Sequence, residues 1–165
     1  MFAFSLVKPT RGLPDGFVPD ELEDTQDYEY LAMYACSLLA ETDCAFHLGG
    51  FGQDDWAFNV ESDMSSFVEE LPTLIAGMER GQVVEVPLYT QGIERNLVFT
   101  PVGERVSIRC ESSTDWIPSP EEEEMTRDQL MSMMRDLARD FSEALAMVAP
   151  QVAQLSLFPK WRSGC

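Results

Sequence analysis

The period of the apolar residues changes twice along this chain, and that alternation restricts the folds open to it. Met64, Phe67, Val68, Leu71, Leu74, Ile75 and Met78 recur at spacings of three and four, the signature of one buried helical stripe. Beyond Gly81 the period falls to two. Val84, Val86 and Leu88 alternate, as do Val106, Ile108 and Cys110, so three strands are expected at 83–89, 96–100 and 105–110, each with one buried face. Gln91-Gly92 and Pro101 to Glu104 supply the intervening turns, which gives an antiparallel meander. Leu130, Met134, Leu137, Ala138, Phe141, Leu145 and Val148 then return to helical spacing. Helices bracketing a meander define an α+β fold. A chain of 165 residues with 45% hydrophobic content fills one core, so a single domain over 1–165 is expected.

The remaining segments extend that scheme. Phe2 to Val7 reads as a strand inside a turn-rich arm over 1–19 that holds Pro9, Gly12, Pro14, Gly16 and Pro19. Tyr28, Leu31, Ala32, Ala35, Leu38 and Leu39 predict a helix from about Asp20 to Glu41, with Glu21, Glu23, Asp24 and Asp27 in its first turns. Cys44 to Leu48 and Trp56 to Val60 read as the two strands of a hairpin, which brings the sheet to about five strands, mostly antiparallel. Pro72 predicts a kink or restart in the helix that begins near Met64 and ends at Gly81. Ser119-Pro120-Glu121-Glu122 reads as a capping box opening a long C-terminal helix that runs to Pro150, with Glu121 to Glu124 as its solvated first turn. At roughly 30 residues that helix would span about 45 Å. Met125, Met131, Met133 and Met147 fall outside its main stripe and suit either an adaptable contact surface or gap filling in the core. In the tail over 151–165, Leu155, Leu157, Phe158 and Trp161 carry enough apolar surface to dock back.

Charge narrows the function. The chain carries 29 acidic and 11 basic residues, for a net charge of -18. Such a field repels nucleic acid and anionic membrane and attracts basic partners. No Lys or Arg lies between Arg11 and Arg80, while the same stretch holds sixteen Asp and Glu. This asymmetry points to a cationic protein partner, with acidic solubility as the plain alternative. No apolar run reaches the roughly 20 residues of a membrane span, and Met1 to Pro14 lacks the pattern of a secretory signal, so a cytoplasmic protein is expected. Cys36, Cys44, Cys110 and Cys165 are scattered without a C-x-x-C pair and read as reduced thiols, two or three of them in the core.

The stretch GGFGQDDWAFNV, residues 49–60, admits three readings. A phosphate loop needs a helix and a lysine after its glycines, and here a strand-like segment follows with no basic residue until Arg80. A metal site on Asp54 and Asp55 lacks the alternating oxygen spacing of a calcium loop. A turn needs only glycines and a backbone-bonding Asp, which are present. The single histidine, His47, has no nucleophile at a recognisable spacing and reads as half-buried in a strand. No HExxH, Walker or GxSxG pattern occurs, so neither an enzyme nor a cofactor is expected. An acid/base or metal-dependent hydrolase using Asp54, Asp55 or Asp63 is the distant alternative.

The order of DDWAFNVESDMSSFVEELPTLIAGMERG, then VVEVPLYTQGIERNLVFTPVGERVSIRCES, then Trp116-Ile117-Pro118 and an acid-capped helix resembles small bacterial immunity proteins of polymorphic and contact-dependent toxin systems. The likeness is one of layout over residues 44–149 and has no diagnostic motif. It implies a non-enzymatic inhibitor that binds a basic toxin domain in the cytoplasm, as a monomer or homodimer. Asp54, Asp55, Trp56, Glu61, Asp63, Glu69 and Glu70 are the candidate partner-binding residues, since a hairpin corner and the next helix start can project them together. Acidic secretion chaperones of the type III kind, homodimers that hold an extended export substrate, share the same texture and form the second reading.

Overall fold

The computed structural model describes residues 1–164, so Cys165 lies outside the described residues. The architecture is α+β with two antiparallel sheets. Strands β1 (Ala3–Val7) and β2 (Ala45–Gly49) pair with each other, and β3 (Val84–Leu88), β4 (Arg95–Val102), β5 (Arg105–Ser112) and β6 (Glu122–Thr126) form a four-stranded meander in sequence order. The helices are α1 (Tyr28–Leu39), α2 (Ser65–Arg80), α3 (Arg127–Val148) and the short α4 (Phe158–Arg162). Among the described residues no helix is long and apolar enough to cross a membrane.

The expected single sheet of five strands is therefore corrected to sheets of two and four. The predicted hairpin does not form. Strand β2 takes β1 as its partner, in a register that sets Phe4 opposite Leu48 and Leu6 opposite Phe46, and these four side chains are buried. Residues 56–60 keep one backbone bond to β2, from Trp56 N–H to the Leu48 carbonyl. They leave the ladder at Ala57, whose φ is +55°. Asn59 then accepts from the Ser62 and Asp63 amides and draws the chain into a π-helical turn, Val60–Met64, that feeds α2.

Two helix starts move for the same reason, since a stronger local cap lies downstream. Asp27 caps α1 by accepting from Tyr30 N–H, so Glu21, Glu23 and Asp24 belong to the arm rather than to a first turn. The arm runs along α1, where Tyr34 donates to the Asp20 carbonyl at 2.7 Å and Tyr30 receives the Glu23 N–H at 3.0 Å. The Ser119 box does not start α3. Residues 122–126 pair instead with β5, where they set Met125 opposite Val106, and a full capping box of Thr126 and Gln129 starts the helix at Arg127. Helix α3 thus has 22 residues.

Pro72 lies inside α2 without interrupting it. Proline leaves the carbonyl four residues back without its helical donor, here that of Val68. The Tyr28 hydroxyl supplies the missing bond at 2.7 Å, from a different helix. Gly81 closes α2 in the left-handed conformation with φ +67°, as expected. The tail docks as anticipated, with Phe158 and Trp161 buried against Tyr28 and Phe141. Of the methionines off the main stripe, Met125 and Met131 are buried in the core, Met133 packs against it, and Met147 is exposed.

Candidate functional site

The glycine-rich stretch is a compact corner that locks the two sheets together. Gly50 N–H donates to the Gln53 carbonyl at 2.8 Å, and Trp56 Nε1 donates back to the Gly50 carbonyl at 3.1 Å. Gly50 has φ +140°, and a Cβ there would stand 2.7 Å from Phe2 Cα. That approach brings β1 and the corner onto one carboxylate, Glu123 of β6. Its two oxygens accept from the backbone N–H groups of Phe2 and Phe51. Period two puts Glu123 on the inward face beside Met125, so a charge on an edge strand points at the core.

A second inward charge sits next to it. Arg95 shares the inner face of β4 with Leu97 and Phe99 and is only 7% exposed. Its guanidinium carbon lies 4.2 Å from the ring centre of Trp56 and 3.7 Å from that of Trp116. The two indoles meet edge-on at 5.7 Å. Nη2 reaches Gln53 Oε1 at 3.5 Å, while Nε and Nη1 have no protein hydrogen-bond partner. Burial holds the guanidinium pKa below its ordinary value. Two π faces thus take the place of a carboxylate partner for this cation.

The candidate partner residues divide by exposure. Asp54, Asp55 and Glu61 are exposed, and Glu69 and Glu70 are half-buried on α2. Trp56 is 3% and Asp63 7% exposed, so both act inside the fold. Asp63 accepts from Asn59 N–H at 2.9 Å and from the Thr90 hydroxyl, which ties the π-helical turn to the β3–β4 connection. Asp55 accepts from Ala57 N–H at 2.8 Å and stands 3.5 Å from His47 Nδ1. His47 is exposed, against the expectation of a half-buried side chain, because β2 turns it to the outer face. Glu69 accepts from the hydroxyls of Ser65 at 3.1 Å and Tyr89 at 3.0 Å. Burial, with Glu29 and Glu69 nearby, raises the Glu70 carboxyl above its usual range.

Cys36, Cys44 and Cys110 are buried, and burial pushes the Cys44 thiol up to about 12 and Cys110 to about 11, which suppresses the nucleophilic thiolate. Among the described residues no group of three or more His, Cys, Asp or Glu is placed to hold a metal ion.

Sequence reasoning missed Arg95 and placed Glu123 in a solvated helix turn, where the structure puts it on a strand. The signal was present for the two charges, since each stands two residues before an inward apolar side chain in a strand. Neither a family model nor a curated protein nor a solved structure matches the chain.

Proposed function

We propose that this chain is a non-enzymatic protein that binds and neutralises a basic protein domain, of the toxin kind, through its acidic surface. One observation carries the reading. Of the sixteen acidic residues between Arg11 and Arg80, only Asp55 and Glu79 take part in an ion pair among the described residues, with His47 and Arg135. The cations pair elsewhere: Lys8 with Glu143, Arg105 with Glu124, Arg109 with Glu111, and Arg139 with Asp136 and Asp140. Fourteen carboxylates of one half of the sequence are left without an internal cation. Uncompensated like charge costs conformational stability, and a cationic partner offsets that cost on binding.

The test is recovery of partners on the tagged full chain from cells of its source, followed by sizing of the complex at low and high salt. The expected result is one folded basic protein that salt releases, with enzymatic activity that the complex suppresses. A stable homodimer carrying an unfolded export substrate would replace this reading with the chaperone. Retention of the partner at high salt would remove the acidic surface from the account.

A further inference from the structure

Strand β2 has a second edge, which the following chain covers at one end only. Trp56 N–H donates to the Leu48 carbonyl at 2.9 Å, so residues 48 and 56 stand opposite each other. Continued as an antiparallel pair, that register sets His47 opposite Ala57 and Phe46 opposite Phe58. The side chains already follow it, since the Phe58 ring lies 5.9 Å from that of Phe46 and 6.0 Å from that of Trp56. The backbones do not. The N–H and C=O of Phe46 point the same way as the Leu48 carbonyl, away from β1. Among the described residues neither these groups nor those of Phe58 have a hydrogen-bond partner, although Phe46 is 2% and Phe58 7% exposed. An opening of about 290 Å³ is lined by both segments, Cys44 to His47 on one side and Ala57 to Val60 on the other.

A backbone irregularity stands at each end of the unpaired stretch. Ala57 holds φ +55°, a conformation disfavoured for any residue with a Cβ. Beyond it the π-helical turn Val60–Met64 takes up one residue more per hydrogen bond than an α-helix does. What keeps the stretch off β2 is the cap downstream, where Asn59 N–H donates to Asp63 at 2.9 Å and Asn59 Oδ1 accepts from the Ser62 and Asp63 amides.

We propose that residues 57–59 form a strap with two positions. In the position described above it stands off β2. In the other, Ala57 is extended, Phe58 N–H donates to the Phe46 carbonyl, Phe46 N–H donates to the Phe58 carbonyl, and the β1–β2 pair becomes a three-stranded sheet. The surplus residue of the π-helical turn supplies the length, so closure draws the exposed Glu61 toward β2. Unpaired buried backbone groups and a left-handed alanine oppose the open position, and the Asn59 cap opposes the closed one. This device is independent of whether the chain binds a basic partner.

NMR on the full chain tests it. The expected result is microsecond-to-millisecond exchange at the Phe46 and Phe58 amides, seen as relaxation dispersion. Ala57→Gly, which holds a positive φ without strain, is expected to favour the open position roughly tenfold and to flatten that dispersion. Ala57→Val is expected to favour the closed one, with an Hα–Hα contact between His47 and position 57 and roughly tenfold slower solvent exchange at both amides. Flat dispersion in the wild type, with no such contact in Ala57→Val, overturns the proposal and assigns the unpaired groups to ordered water. Should Ala57→Val not fold, the glycine variant decides alone, since dispersion unchanged from wild type overturns the strap.

Discussion

At the scale of single residues, Glu123 joins β6 to the start of β1 and to the glycine corner. It accepts from Phe2 and Phe51, two backbone groups that belong to different turns of the chain. Glu123→Ala removes both acceptors and leaves two largely buried donors unpaired, at about 1–3 kcal/mol each. A drop in the thermal midpoint is expected, roughly 2–4 °C per kcal/mol for a chain of this size, while Glu124→Ala on the outward face stays within about 0.5 kcal/mol. Calorimetry on the two variants checks the contrast. Gly50 belongs to the same contact, since its φ of +140° and the nearness of Phe2 Cα exclude any side chain. Neither role was legible from the sequence. The glycines were readable as a turn, but what the turn pressed against depended on a strand 72 residues away.

Among the elements, those with a strong period were read correctly and those decided by competition were not. Strands β3, β4 and β5 alternate plainly and stand where expected. The hairpin at 44–60 failed because residues 56–60 leave β2 after one backbone bond, at Ala57 with φ +55°, where the Asn59 cap draws the chain into the π-helical turn, and local alternation does not reveal a cap that ends a strand. The start of α3 failed because two capping boxes lie in tandem, and Thr126-x-x-Gln129 was the working one. Helix α2 shows why Pro72 misled, since the gap it leaves is filled from α1. Tyr28→Phe should therefore destabilise α2 although Tyr28 is not part of it, by about 1–3 kcal/mol, the cost of an unpaired buried carbonyl. Urea unfolding should show a lower midpoint with an unchanged slope. Wild-type stability in that variant would mean that solvent serves the Val68 carbonyl instead. Of the candidate site residues, Asp54, Asp55 and Glu61 were placed on the surface by turn and helix-start chemistry, whereas Trp56 was drawn inward by Arg95 and Trp116 and Asp63 by Thr90, partners remote in sequence.

For the molecule as a whole, charge separates along the chain more than it cancels. Carboxylates without internal cations repel one another, so screening should stabilise the fold. The thermal midpoint is expected to rise with added sodium chloride, by roughly 2–4 °C for each kcal/mol of repulsion relieved. A midpoint that falls with salt would show that the internal ion pairs outweigh the repulsion. Glu123 also sets an order of assembly during synthesis. The acceptor for Phe2 lies 121 positions downstream, and at about 5–20 residues per second the ribosome needs several seconds to deliver it. Through that interval Phe2, Phe4 and Phe46 have Phe58, Phe67 and Phe99 to pack against, all of which precede Glu123 in the chain, while the Phe2 and Phe51 N–H groups still lack their acceptor. The newborn chain is therefore kept apart from its neighbours by the same negative charge that the folded protein carries.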